Sequence, residues 1–307
     1  MYGTEFHKPI VVVGSINADL VCQTERIPLS GETLLGSNFH IFPGGKGANQ
    51  AVAVARLGCP VHMIGKLGDD AFAGLLRSSL VDAGVNVAGV DTVSGASGVA
   101  LIEVAASGAN SIVVASGANA HLMPADLDRH IDLLRAAGVV LAQLEVPIET
   151  VDYLAQLCRR EQIPLMLDPA PACALPAQLL RSVAWLTPNE TEAEFYTHAQ
   201  EPAQQRDALF AQGVEGVVLK RGKSGVSLAT SAGLRADQPA FKVRAVDSTA
   251  AGDAFNGAFA AALMLGADPA AAARFASAAA AVSVTRAGAQ PSMATRAEVD
   301  ALLSQQA

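Results

Sequence analysis

The sequence predicts an α/β fold in which a mainly parallel β-sheet is sandwiched between helices, with a small second β-sheet attached. Three observations carry this. Residues 10–14 (Ile-Val-Val-Val-Gly) are apolar without alternation, as a strand buried on both faces must be. From about residue 120 onward, short apolar runs alternate with helical stretches, which implies right-handed β-α-β units. Residues 15–43 and 97–117, by contrast, hold extended patterns with no helix between their strands and form a sheet of their own.

Composition agrees with this architecture. The 307 residues are 51% hydrophobic but only 5% aromatic, so Ala, Val and Leu fill a sheet-and-helix core. The net charge of -8, with no basic stripe, excludes nucleic acid as the expected partner. Cys22, Cys59, Cys158 and Cys173 are scattered without metal-binding spacing and read as reduced thiols, with no zinc site. Glu5, His7 and Lys8 precede the first strand, and no apolar run reaches the roughly 18 residues of a membrane span. A cytoplasmic protein without a signal peptide or membrane contact is the expectation.

In chain order, Ser15 to Val21 alternate polar and apolar residues after the first strand, which puts Asn17 and Asp19 on one side. Extended residues 33–42 lead into Pro43-Gly44-Gly45-Lys46-Gly47-Ala48-Asn49-Gln50 and a helix over 51–57. Three glycines around one lysine can bring backbone amides against a polar ligand, or be a plain loop; no Lys-Ser/Thr pair closes them, so this is not a Walker A motif. A strand over 61–67 and a helix to about residue 83 follow, then a hairpin whose arms are 99–104 and 111–115. Strands over 139–146, 165–168, 184–187 and 217–219 alternate with helices such as 147–160 and 190–198, and the Ala-rich run 270–282 reads as a closely packed helix. Between these, Phe241, Val243 and Val246 suggest a strand that breaks at Ser248 to Gly252 and re-forms as a helix.

Ligands of open α/β sheets lie outside the carboxyl ends of the strands. The polar groups expected there are Asn17 and Asp19, Lys46 and Asn49, Glu145, Asp168, Asn189 and Glu192, Lys220 with the Gly222–Gly225 turn, and Asp247 to Asp253. Small residues let the amides of Ala250, Ala251, Gly252 and Asp253 face an anion at the positive helix end, where Asp253 could equally just offset the dipole. Asn189 and Glu192 either start a helix or hold a hydrated Mg²⁺. Asp168-Pro169-Ala170-Pro171 reads as a rigid turn, and residues 220–225 as a hairpin turn or a phosphate-binding loop.

Five segments together carry a family resemblance: Gly14-Ser15-Ile16-Asn17-Ala18-Asp19, Gly44 to Ala51, Thr187-Pro188-Asn189-Glu190-Thr191-Glu192, Asp247 to Asp253, and Gly288-Ala289-Gln290-Pro291-Ser292. In register from about residue 10 to 300, they resemble the PfkB-type carbohydrate kinases of the ribokinase-like fold. The resemblance implies a three-layer αβα core (1–14, 44–96 and 118–307) and a β-sheet lid (15–43 and 97–117) that covers the sugar and mediates a homodimer.

It further implies transfer of the γ-phosphoryl group of ATP to O5 of D-ribose. Asn17, Asp19, Gly45, Lys46, Asn49 and Glu145 would bind the sugar, and Asp253 would be the base, expected to stay ionised beside the helix terminus. The amides of Ala250 to Asp253 would form the anion hole. Asn189, Lys220, Gly222, Gly225, Gly252 and Ser277 would line the ATP, with Mg²⁺ held through water by Asn189 and Glu192. A monovalent cation, K⁺, would sit among Asp247, Thr249, Ser283, Arg286, Gly288 and Ser292, mostly on backbone carbonyls. Three residues depart from the common pattern: Ala250 stands in place of Gly, Lys220 in place of Thr, and Ser277 in place of Asn or His near the base. Two other readings stay open, a kinase of the same fold acting on fructose, deoxyribose or a nucleoside, and a non-catalytic sensor that kept the fold.

Overall fold

The computed structural model describes residues 8–306; Glu5, His7 and the start of the expected 1–14 segment lie outside them. The strands are β1 (Ile10–Val13), β2 (Asn17–Thr24), β3 (Ser37–Gly44), β4 (Val61–Leu67), β5 (Asn86–Thr92), β6 (Gly98–Ala105), β7 (Asn110–Ala115), β8 (Val139–Ala142), β9 (Leu165–Leu167), β10 (Trp185–Leu186), β11 (Gly216–Lys220), β12 (Val226–Thr230) and β13 (Arg235–Gln238). The α-helices are α1 (Lys46–Arg56), α2 (Ala73–Asp82), α3 (Pro124–Arg129), α4 (Ile131–Ala136), α5 (Ile148–Arg160), α6 (Glu190–Thr197), α7 (Pro202–Ala211), α8 (Ala251–Met264), α9 (Pro269–Ser283) and α10 (Arg296–Gln305).

Nine strands form the main sheet in the order β13-β12-β11-β10-β9-β8-β1-β4-β5. Its pairings are parallel except for β11 with β12 and β12 with β13. Successive side chains of β1 enter opposite cores, Ile10 and Val12 on one side and Val11 and Val13 on the other, which is why the strand reads as unbroken apolar sequence. The first core lies under α1, α8 and α9. There Phe259 meets Phe255 in a stack at 6.0 Å and Trp185 edge-on at 5.1 Å, fixing α8 to the sheet.

α8 also packs closely on α1, and Gly257 makes this possible. A Cβ there would fall 2.7 Å from Ala53 Cβ and 2.9 Å from the Gln50 carbonyl oxygen. The approach brings the first turn of α8 against the first turns of α1, at the carboxyl ends of β1, β8 and β9.

The second sheet has the order β3-β2-β6-β7. Its central pair, β2 with β6, is parallel, and the flanking pairs are antiparallel. Residues 14–16 alone connect β1 of the main sheet to β2 of this one.

Some elements depart from expectation. Residues 241–246 are not a strand: the sheet ends at β13, Pro239 offers no amide to extend it, and the following backbone turns to the helices instead. Lys242 N donates to Gln306 Oε1 at 3.0 Å and Val246 N to the Val284 carbonyl at 2.7 Å. The strand expected over 139–146 stops at Ala142, which frees Gln143 and Glu145 to line the site while Leu144 packs into the second core, and α1 starts at Lys46 rather than at residue 51. Among the described residues no helix is long and apolar enough to cross a membrane.

Candidate functional site

β2 enters the site first. Asn17 and Asp19 are both buried, and the strands on either side make room for them by lacking side chains. A Cβ on Gly44 of β3 would meet the Asp19 carboxylate at 2.1 Å, and one on Gly98 of β6 would meet Asn17 Oδ1 and Asn119 Nδ2 at 2.2 Å. Asn119 holds Asn17 in place by donating Nδ2 to Asn17 Oδ1 at 2.7 Å while its own Oδ1 accepts from Ile16 N at 2.9 Å. Gly45, at φ 88, presses its backbone against Ile16 and Asn17, which a side chain would prevent.

Glu145 closes this side. Its Oε2 accepts from Ser15 Oγ at 2.5 Å, from Lys46 N at 3.1 Å and, at 3.5 Å, from Asn17 Nδ2. Burial, with Glu145 and Asp253 nearby, pushes Asp19 up to about 7. Lys46 is half-buried, which disfavours its charge, but Asp253, Asp168, Glu145 and Glu192 outweigh this and hold its ammonium above the usual lysine range.

Asp253 sits in the first turn of α8 and is 4% exposed. Its Oδ2 accepts from Asn49 Nδ2 at 3.0 Å and its Oδ1 from Gln50 Nε2 at 3.1 Å. Its pKa is pushed up to about 6, chiefly by burial, with Lys46 and the two amides opposing and Asp168 assisting. Burial thus outweighs Lys46 and the two amides, so the carboxylate is a stronger proton acceptor than an exposed aspartate, and it is still mostly ionised at neutral pH.

The turn before it is held open. Ala250 takes φ 57, ψ 15, the left-handed region, and caps α8. Of the four amides expected to face an anion, that of Ala251 donates to the Ser248 carbonyl at 3.2 Å and so closes the turn. Gly252 and Asp253 lie in the first turn of α8, ahead of the first full helical bond, from Ala254 N to the Ala250 carbonyl.

These residues line one end of a cavity of about 590 Å³. Lys46, Asp168, Asn189, Glu192, Lys220, Gly222, Gly225, Ala250 to Asp253 and Ser277 all border it. Asn189 and Lys220 are paired by a backbone bridge, with Lys220 N donating to the Pro188 carbonyl at 2.8 Å. Residues 220–225 are the hairpin between β11 and β12, and Gly225, at φ 89, lies where a Cβ would strike the Gln238 carbonyl. Asn189 and Glu192 form a capping box: Asn189 Oδ1 accepts from Glu192 N, and the Glu192 oxygens accept Asn189 N and Nδ2, each at 2.8 Å. Ser277 Oγ is buried at the cavity wall without a partner.

Behind the turn, Asp247 ties two loops together. Its Oδ1 accepts from Thr249 N and Oγ1 at 2.8 and 2.7 Å, and its Oδ2 from Gly288 N at 2.9 Å. These bonds outweigh partial burial and hold its carboxyl below the usual range. Ser283 Oγ and Ser292 Oγ bond to local carbonyls, and Arg286 donates Nε to the Ser292 carbonyl while its guanidinium pairs with Glu298.

Asp168 corrects the turn reading. It is 3% exposed, accepts from Lys220 Nζ at 3.1 Å and from Gln50 Nε2 at 3.2 Å, and borders the cavity. The Asp-Pro signature is compatible with a turn, and nothing local reveals that its partners come from α1 and β11. Ser15, Gln50, Asn119 and Gln143 were likewise missed, although Ser15 and Gln50 lie inside the segments that carry the resemblance.

A profile of the pfkB family carbohydrate kinases matches residues 7–296. The chain is 43% identical over 300 residues to a ribokinase from Bacillus subtilis (strain 168), covering 96% of this chain and 99% of that one. It is 38% identical over 293 residues to a deoxyribokinase from Salmonella typhi, covering 92% of this chain and 94% of that one. Among solved structures, Arabidopsis thaliana ribokinase complexed with ribose and ATP superposes with a TM-score of 0.90 at 36% identity, covering 96% of this chain and 98% of that one.

Proposed function

The chain belongs to the pfkB family of carbohydrate kinases, and we propose that within it the chain acts as an ATP-dependent ribokinase, transferring the γ-phosphoryl group to O5 of D-ribose. The observation that carries the reading is Asp253, a buried carboxylate between two amide donors, where the polyol-binding groups of β2 and α1 meet the nucleotide-sized cavity.

Asn17, Asp19, Lys46, Asn49, Glu145 and the Gly45 backbone bind the sugar. A polyol suits this ring because its hydroxyls meet buried or half-buried amide, ammonium and carboxylate groups, and a sugar that leaves one of these unpaired is disfavoured. Asp253 accepts the proton of the attacking hydroxyl. The first-turn amides of Gly252 and Asp253, with Lys220 Nζ lying close to Gly252, offset charge that develops on the phosphoryl oxygens. In this reading Ala250 and Ala251 shape the turn, Ala251 through its bond to Ser248. Asn189, Lys220, Gly222, Gly225 and Ser277 line the nucleotide, and the unpartnered Ser277 hydroxyl supports a polar ligand there.

ATP chemistry of this kind uses a divalent metal, and Asn189 and Glu192, which border the cavity, would hold Mg²⁺ through water on the oxygen lone pairs that their mutual hydrogen bonds leave free. When bound, that ion neutralises charge on the nucleotide phosphates. The Asp247 carboxylate and the carbonyls of Thr249, Ser283, Arg286, Gly288 and Ser292 offer hard oxygen donors that fit a monovalent cation such as K⁺. Homodimerisation through the small sheet is supported by a row of exposed apolar residues across three strands, Ile41, Leu101 and Val113.

An ADP-release assay over ribose, deoxyribose, fructose, tagatose and adenosine, with and without K⁺, tests the reading. Ribose is expected to give the highest kcat/KM and K⁺ to raise it; a clear preference for another acceptor overturns the assignment.

A further inference from the structure

Two buried carboxylates from distant parts of the chain, Asp253 and Asp168, share one neutral donor. Gln50 Nε2 lies 3.1 Å from Asp253 Oδ1 and 3.2 Å from Asp168 Oδ2, so its two N–H groups can serve one carboxylate each. We propose that Gln50 is a positioning residue for the proton transfer: it fixes the Asp253 carboxylate, keeps it apart from Asp168, and is itself oriented by Gln143. The inference rests on Asp253 being the base.

The orientation of the Gln50 amide is forced from both sides. Turned over, its oxygen would face two carboxylates. On the opposite side, Gln143 Nε2 donates to Gln50 Oε1 at 2.7 Å, which only the observed orientation accepts. Gln143 then has no donor for its own oxygen. That Oε1 is buried and unpartnered, and lies where a Cβ on Gly14 would fall 2.0 Å away. A buried acceptor without a donor is costly and uncommon, and its retention here follows from the demand that Gln143 donate to Gln50. Gln50 is 1% and Gln143 0% exposed, so solvent cannot substitute for either amide.

The charged groups that face Asp253 are Lys46 from α1, Asp168 after β9, and Asp19 across from β2; Lys220 of β11 pairs with Asp168 on its far side. Lys46 is the cation among them that a bound sugar also engages. Gln50 is the neutral donor that bonds both carboxylates, and its loss leaves Asp253 and Asp168 without the hydrogen bonds that link them. Asp253 then takes up a proton at higher pH.

The test is the pH profile of kcat with ribose and ATP both saturating, so that the sugar covers Asp19. Gln50→Met replaces the amide by an unbranched side chain of similar length. It is expected to move the acid limb of kcat upward by roughly one pH unit, the loss of about one charge-assisted hydrogen bond. Gln143→Met, which keeps Gln50 but removes its clamp, is expected to move the limb in the same direction by less. A role confined to packing would lower kcat or stability at every pH and leave the limb in place. An unmoved limb in either variant, folded by circular dichroism, overturns the proposal. Asp253→Asn separates the two levels: if it retains turnover, the base assignment fails; if it is inactive while the Gln50→Met limb stays put, only the role of Gln50 fails.

Discussion

Replacing Asp253 by Asn should raise stability while it abolishes most turnover. The carboxylate is buried and its pKa is pushed up to about 6. An exposed aspartate titrates near 3.9, and each pH unit is worth about 1.4 kcal/mol, so keeping this group ionised in the fold at neutral pH costs roughly 3 kcal/mol. The sign follows directly. The folded value lies above the unfolded one, so the destabilisation is complete above about pH 6 and fades as pH falls toward the ordinary aspartate range. Asp253→Asn removes it without a large packing change. The one mismatch is local: Asn49 and Gln50 both present donors, and an Asn side chain has only one acceptor. Asn49 Oδ1 is buried and unpartnered, so a flip of the Asn49 amide supplies the missing acceptor. The net gain is therefore expected to be about 1–3 kcal/mol, a Tm increase of several degrees for a chain of this size, largest near pH 7 and small near pH 4. Loss of the base should lower kcat by roughly 10²–10⁴-fold. Differential scanning calorimetry at both pH values and steady-state kinetics check the two halves. A Tm that falls at pH 7 refutes the electrostatic reasoning, and an unchanged kcat removes Asp253 from the proton transfer.

Three further outcomes follow from backbone constraints. Gly98→Ala places a methyl group against Asn17 and its prop Asn119, so it should raise KM for ribose about 10–100-fold, the value of one to two hydrogen bonds, and affect kcat less; an unaltered KM refutes the role of the gap. Ala250 holds a left-handed conformation at a cost of about 1 kcal/mol, and Ala250→Gly relieves it while loosening the unfolded chain by a similar amount, so chemical denaturation should show a change within about 0.5 kcal/mol. Ala250→Val, β-branched at positive φ, should instead be destabilised by about 2 kcal/mol or more and lose activity, and equal stability of the two variants would contradict the strain.

Much of the fold was legible because its signals are local. Ile10–Val13 reads as a two-faced strand from four residues, and the capping box of Asn189 and Glu192 is complete within a single turn. The polar residues at the strand ends could be collected by rule, and most of them border one cavity. What stayed hidden depends on contacts between distant residues. Asp168 looks like a turn residue until Lys220 and Gln50 are seen to bond to it. Gln143 lies in an apolar context that suggested a longer strand, and Asn119 matters only through Asn17. The stretch 241–246 has strand-forming residues, but the sheet edge it would join ends at Pro239 and its amides find α9 and α10. The raised pKa of Asp253 was invisible for the same reason: the helix terminus is written in the sequence, whereas the depth of burial is a property of the packed whole.

Only residues 14–16 separate β1 of the large sheet from β2 of the small one, so the side chains proposed to hold the sugar come from both sheets. Asn17 and Asp19 belong to the small sheet; Lys46, Asn49 and Asp253 belong to helices seated on the large one. In the proposed reading, a bound sugar bridges the two sheets. A ligand that lacks one hydroxyl would then lose a bond to one sheet while keeping its bonds to the other. Selectivity in that reading would extend beyond binding to how the acceptor oxygen is placed against Asp253.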